Sequence, residues 1–281
     1  MNPTLLIAGN GYLGQAVCEQ ARARNWEVIT LSKSGEGSDH GVDFTDPAAL
    51  LTLAKSISPP SHILASASSG RGGPDAYRKV FLEGTNCLLE TFPAAKLTFI
   101  SSTSVYRQTD GSTVDEESSL AGHTATSTIL LEAEKTVLAA GGTSLRLSGI
   151  YGPHRSVILK RFLSGEATLE ETTAGLGVRI LNQIHRDDAA RAILHLIEKE
   201  KSGLYNVSDN EPTSQLATYQ RLADKLKLPL PPTAPPNPNS KRGWTHKAVS
   251  NHKLQATGWN PEFPSFLSAV DELLPTIERS Q

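Results

Sequence analysis

Apolar residues in the first 150 positions alternate between two spacings. Short, nearly continuous runs stand at Thr4–Ala8, Glu27–Leu31, His62–Ser66, Lys96–Ser101 and Thr143–Leu147, with the lengths expected of buried strands. Between them the apolar residues recur every three or four positions. This holds for Tyr12–Arg24 (Leu13, Ala16, Val17, Ala21), Pro47–Ser56, Tyr77–Phe92 and Thr128–Ala140 (Ile129, Leu130, Ala133, Val137), and it predicts helices. Asp46 before Pro47 gives the second of them a start signal: a capping oxygen, then a residue that needs no amide hydrogen. Alternation of this kind predicts an α/β fold, a doubly wound parallel sheet covered on both faces.

After residue 150 the pattern loosens. Asp188–Glu200, started by an aspartate cap, and Leu216–Leu226 read as helices, and Leu204–Val207 as a strand. The stretch "KLPLPPTAPPNPNSK" at 227–241 carries too many prolines for helix or sheet and is expected to be a surface loop. The organisation expected is a dinucleotide-binding domain over 1–150 and a smaller C-terminal substrate lobe over 151–281. A segment near 180–207 is expected to return to the first domain.

Composition narrows the partners. The 281 residues carry 27 basic and 29 acidic side chains, a net charge of −2, which argues against nucleic acid or an anionic membrane. No apolar run approaches the roughly 20 residues of a membrane helix, and the N-terminus has no basic leader pattern. Cys18 and Cys87 lack metal-ligand spacing and read as reduced core thiols. A cytoplasmic location is the expectation.

The chemistry begins at "LLIAGNGYLGQAVC", residues 5–18. Gly9-Asn10-Gly11-Tyr12-Leu13-Gly14 leaves a strand and opens a helix. In that context Gly9 permits the tight turn, Gly11 lets a diphosphate approach the backbone, and Gly14 lets helix pack on strand. The next strand ends in Ser32-Lys33-Ser34, without the acid that would bind an adenosine ribose. A hydroxyl and an ammonium suit a 2′-phosphate, so NADP is expected slightly ahead of NAD; the rival reading makes Lys33 a solvated loop lysine.

Seven segments in sequence order resemble the extended short-chain dehydrogenase/reductase superfamily, of the NAD-dependent epimerase/dehydratase type. They are the glycine loop, "VDFTD" (42–46), "EGTNCLLE" (83–90), "ISSTSVY" (100–106), "LRLSGIYGP" (145–153), "IHRDDAARAI" (184–193) and "GLYNVSDNEP" (203–212). The resemblance implies a Rossmann-type sheet with a nicotinamide dinucleotide at its carboxyl edge. Asp43 and Phe44 would lie at the adenine end, Ser66 and Ala67 beside the ribose and phosphates, and Ser102 at the reacting oxygen. Tyr151, His154 and Arg155 would lead into the substrate lobe, the last two as anion contacts or as solvated loop residues. His185 with Asp187 and Asp188 suggests either a metal or acid–base pair, or a tether for the strand end that also caps the helix from Ala189.

In this superfamily a tyrosine, with a lysine four residues on, follows the serine by some two dozen positions. Here "GHTATSTILLEAEKTV" (122–137) offers Thr126 and Leu130, or Ser127 and Leu131, and no Tyr or Lys stands between Arg107 and Glu134. The chain thus resembles an atypical branch without the YxxxK pair. Thr126 and Ser127 can hydrogen-bond but are not bases near neutral pH; His123 has a useful pKa and is the candidate replacement. Two functions stay open. One is an NAD(P)-dependent oxidoreductase or epimerase acting on a carbinol or ketone, such as a sugar nucleotide, with a non-standard acid–base. The other is a non-catalytic NAD(P)H sensor. By analogy, a homodimer through the helices after Tyr77 and at 128–140 is also expected.

Overall fold

The computed structural model describes residues 3–70, 72–120, 124–237 and 244–277. The chain forms two compact units. The first contains Met1–Val105, Leu120–Leu147 and Ala189–Tyr205; the second contains Tyr106–Ser119, Ser148–Asp188 and Asn206–Gln281.

The first unit opens as the sequence pattern requires. β1 (Thr4–Ala8) leads to α1 (Tyr12–Ala23), β2 (Glu27–Ser32) and the short β3 (His40–Gly41). Then come α2 (Pro47–Ala54), β4 (His62–Ala65), α3 (Pro74–Tyr77), α4 (Gly84–Thr91) and β5 (Lys96–Ser102). With strands Thr143–Leu147 and Gly203–Val207 they build a seven-stranded sheet. Its order is Gly203–Val207, Thr143–Leu147, β5, β4, β1, β2, β3, and β1 pairs in parallel with both β2 and β4. The order reverses direction at β1, so a crevice opens at the carboxyl ends of β1 and β4, the usual ligand position in such sheets. The sheet centre is dry: Leu5, Leu6 and Ile7 of β1 and Ile63 and Leu64 of β4 are buried, as strands covered on both faces must be.

Local signals explain the helix ends. The Asp46 carboxylate accepts from the amides of Ala48 and Ala49, and Pro47 fills the first turn. The helix expected at Tyr77–Phe92 begins earlier, at Pro74, and widens into a π-type turn over Arg78–Glu83 before α4. Phe44 packs on Gly84, where a Cβ would come within 2.4 Å of its ring. α5 (Ala125–Ala139) starts three residues before the apolar period predicts, because the Thr124 hydroxyl caps it.

One charged pair lies inside this unit. Glu134 of α5 meets Arg146 of strand Thr143–Leu147, with Nη2 to Oε2 at 2.7 Å and Nε to Oε1 at 3.0 Å. Ser101 of β5 donates its hydroxyl to the same carboxylate. These bonds tie two strands to α5, and the side chains are only 2% and 4% exposed.

The second unit gathers Tyr151, Leu159 and Phe162 of α6 (Val157–Leu163), Tyr219, Leu222 and Phe266 into its own core. The proline-rich stretch is not wholly loop. Thr233–Ala234, between prolines, pairs in parallel with Leu169–Thr172 at the margin of a three-stranded sheet, a place where flanking prolines cost no ladder bonds. The aspartate expected to start the next helix does something else. α7 runs Arg186–Glu198, and the buried Asp188 carboxylate accepts from the amides of Glu262 and Phe263, both at 2.9 Å. It is a tether. His185 is fully buried between the rings of Tyr151 and Phe263. Burial pushes its pKa below the usual histidine value, against the opposing pull of Asp187, Asp188 and Glu272.

Candidate functional site

The three loop glycines divide their work geometrically. Gly9 has φ +108°, and a Cβ there would lie 2.4 Å from the Ala67 nitrogen. At Gly14 a Cβ would lie 2.2 Å from the Gly9 carbonyl oxygen. Neither position tolerates a side chain without backbone movement. At Gly11, the N-cap of α1, a Cβ meets nothing within 4 Å. Its glycine is thus not required by the protein's own packing.

The loop is held from three sides. The amides of Gly9 and Asn10 donate to the Leu31 carbonyl at 3.0 Å. The Ser66 hydroxyl donates to the Gly9 carbonyl at 2.7 Å, and Asn10 Nδ2 reaches the Gly37 carbonyl at 2.6 Å. No side chain caps α1 and no acid stands in its first turn, so the helix dipole is unopposed at this end. Asn10 Oδ1 is buried without a hydrogen-bond partner among the described residues.

Two of the residues expected at the adenine end of the cofactor meet each other. Lys33 Nζ lies 3.0 Å from Asp43 Oδ2, with the lysine side chain 80% exposed. Burial raises the Asp43 pKa, but hydrogen bonds from Thr45 and Lys33 outweigh it and hold the carboxyl below its usual range. Ser32 is half-buried at the end of β2. Phe44 is a packing residue, turned onto Gly84.

At the other end, Ser102 closes β5 and its hydroxyl oxygen accepts from the Ser104 amide at 3.2 Å. In that bond the oxygen is the acceptor, so the bond does not engage the hydroxyl hydrogen. The following 3-10 turn, Thr103–Val105, packs on α5. Thr126 and Ser127 join at the start of α5 through a residue the sequence did not mark. Thr124 Oγ1 lies 3.1 Å from Thr126 Oγ1 and 2.9 Å from Ser127 Oγ, and it accepts from the Ser127 amide. Leu130 is buried and Leu131 half-buried. His123 lies outside the described residues.

Tyr151, His154 and Arg155 belong to the second unit. Tyr151 is buried, edge-on to His185 and Phe266, and donates to the Ser265 carbonyl; burial raises its pKa far above a free phenol's. His154 has φ +62° and its amide donates to the Thr276 hydroxyl. Arg155 is exposed and pairs with Gly152 through the backbone. Among the described residues no group of three metal-ligating side chains occurs, and no helix is long and apolar enough to cross a membrane.

This chain belongs to the NAD-dependent epimerase/dehydratase family, whose model matches residues 5–208. It is 27% identical over 299 residues to a 3-diazoavenalumate denitrifying reductase from a Streptomyces species, covering 93% of this chain and 97% of that one. It is 28% identical over 255 residues to the 2-alkyl-3-oxoalkanoate reductase of Stenotrophomonas maltophilia K279a, covering 80% and 76%. A Methylobacillus flagellatus structure assigned to the NAD-dependent epimerase/dehydratase type matches with TM-score 0.76 and 28% identity over 98% of both chains. The NAD complex of Thermus thermophilus UDP-glucose 4-epimerase shares the fold, with TM-score 0.78 and 23% identity over 95% and 96%. The family's dinucleotide fits the loop as built: an uncapped helix start and a glycine whose Cβ direction is open.

Proposed function

We propose that this protein is an NAD(P)-dependent oxidoreductase or epimerase acting at a carbonyl or carbinol carbon, with NADP preferred. The observation that carries the reading is the division among the glycines. Two are demanded by the fold and one, Gly11, is open where a diphosphate would lie. When bound, the dinucleotide supplies a hydride donor or acceptor at its nicotinamide.

The residues divide as follows. The amides opening α1 hold the diphosphate, with Ser66 and Ala67 fixing the loop behind it. Ser32 and Lys33 take the adenosine 2′-phosphate, which competes with Asp43 for the ammonium. Ser102 donates its hydroxyl hydrogen to the substrate oxygen. Thr126 and Ser127, hydrogen-bonded through Thr124, offer further hydroxyls. Orientation of this kind supplies much of a rate enhancement without a strong base, and the proton passes through water or His123. The exposed His154 and Arg155 are assigned to an anionic part of the substrate, such as a sugar nucleotide, while Tyr151 supports them by packing. A homodimer through the helix at 74–91 and α5 completes the proposal.

The relatives are reductases, which weighs against the sensor alternative. The test is titration of wild type and Gly11→Val with NADH and NADPH, followed by turnover over a panel of β-keto acids and sugar nucleotides. Binding weakened about tenfold or more by Gly11→Val, with NADPH ahead of NADH, is the expected result. No binding by wild type at millimolar nucleotide overturns the reading. Tight binding with no turnover across the panel returns the sensor.

A further inference from the structure

The sheet has a second end. At the amino ends of β4, β5 and strand Thr143–Leu147, away from the glycine loop, lies a cavity of about 170 Å3 lined by side chains of the first unit. His62, the first residue of β4, is 8% exposed, and its Nε2 is buried without a hydrogen-bond partner among the described residues. Its Nδ1 lies 3.1 Å from the Ser61 hydroxyl. Nε2 itself is 3.7 Å from Glu200 Oε1, beyond hydrogen-bond reach. Lys96, the first residue of β5, pairs with the other oxygen of Glu200. Lys201 also lines the cavity, and Leu97, Leu196 and Ile197 form its apolar side.

Glu200 is the unusual member. It stands just past the end of α7 with φ +50°, a position usually given to glycine. The Glu200 amide donates to the Ile197 carbonyl and the Lys201 amide to the Leu196 carbonyl, so the turn is a regular helix stop. A glutamate accepts the left-handed strain here and returns its carboxylate to the cavity mouth, against His62 and Lys96.

We propose that this cavity binds a small organic acid, and that Glu200 occupies the carboxylate position when the acid is absent. The argument is chemical complementarity. A carboxylate near Nε2 favours the tautomer with hydrogen on that nitrogen, a donor that no group satisfies. The Lys96 ammonium stands at the cavity mouth, and an apolar wall suits a carbon skeleton but gives an inorganic anion nothing. Burial depresses the His62 pKa, with Glu200 opposing and Lys96 assisting. The ring therefore enters the site neutral near pH 7, as a hydrogen-bond donor and not as a further cation. Neither the dinucleotide nor the residues assigned to it take part, and this proposal stands apart from the previous one.

The test is calorimetric and NMR titration of the full chain with succinate, in parallel with inorganic phosphate. Wild type binds succinate. His62→Gln and Lys96→Met each weaken it about fivefold or more, and Glu200→Gln, which removes the competing carboxylate, tightens it. NADH binding is the same in all three variants, and Gly11→Val leaves succinate binding intact, so the two readings fail separately. Lys96 is 59% exposed, so its variant keeps the test alive if His62→Gln unfolds. Neither heat nor shift changes in wild type and Glu200→Gln at about 20 mM succinate overturns the proposal. So does binding that both His62→Gln and Lys96→Met leave unaltered. Phosphate bound as tightly as succinate overturns the organic-acid assignment.

Discussion

The two ends of the parallel sheet are lined with different materials. At the carboxyl end of β1 there are backbone amides, an open glycine and the Ser66 hydroxyl, with the Ser102 hydroxyl at the carboxyl end of β5 and those of Thr126 and Ser127 at the start of α5. At the amino end of β4 and β5 there are formal charges, Lys96 and Glu200, around a buried imidazole. The difference follows from helix direction. Helices begin at the first edge, where their amides already attract anions, and finish at the second, where carbonyls repel them and side-chain cations must be added. One edge is therefore set largely by backbone geometry, while the other depends on titratable groups.

The sharpest way to break this contrast is at the buried pair between the edges. Arg146→Met strands the Glu134 carboxylate in the core and is expected to cost about 3–5 kcal/mol, read as a collapse of Tm. Glu134→Gln with Arg146→Met together should recover much of that loss. Next, Gly14→Ala drives a Cβ to 2.2 Å from the Gly9 carbonyl and is expected to cost about 2–3 kcal/mol in chemical denaturation. Gly11→Val, which gives up only an N-cap preference of about 1 kcal/mol, should move that midpoint less than Gly14→Ala and lower dinucleotide affinity by about tenfold or more. Equal stability losses at Gly11 and Gly14 would erase the distinction between a fold glycine and a ligand glycine.

Smaller effects test the polar contacts. Lys33→Ala should weaken NADPH several-fold and spare NADH; equal losses would return Lys33 to the solvent. The smallest effect separates the edges by pH. His62 has a depressed pKa in the fold, so the unfolded chain takes up a proton near pH 6.5 that the native ring resists. Its stabilising contribution is complete above that pH and is lost as pH falls toward the folded value. His62→Gln should therefore reduce the drop in Tm between about pH 7 and 5.5, leaving the part due to buried His185. Gly11→Val should leave the drop unchanged.

Much of the fold was legible because each early element carries a local reason. Asp46-Pro47 starts α2, and the glycine loop stands between a strand and a helix pattern. What escaped did so for identifiable causes. The start of α5 is set by Thr124 and its neighbouring hydroxyls, which the apolar period does not register. The π-type turn at Arg78–Glu83 shifts the helix phase with no glycine or proline to announce it. Glu134 and Arg146 sit on apolar faces of a helix and a strand; two opposite charges at buried-phase positions were the available signal. His62 looked like an ordinary strand residue, and only the fold sets it beside Glu200, 138 positions later in the chain. Asp188 was legible as a tether but not as one reaching Glu262 and Phe263.

The short strand Thr233–Ala234 has an effect beyond its size. It forms the margin of a three-stranded sheet, with Pro231 and Pro232 before it and Pro235 and Pro236 after it. A neighbouring molecule seeking to extend that margin finds one outward amide hydrogen, with two prolines on either side of the strand that offer none. The proline run thus works as a guard against strand-by-strand aggregation, letting a β margin face solvent in a crowded solution without recruiting copies of itself.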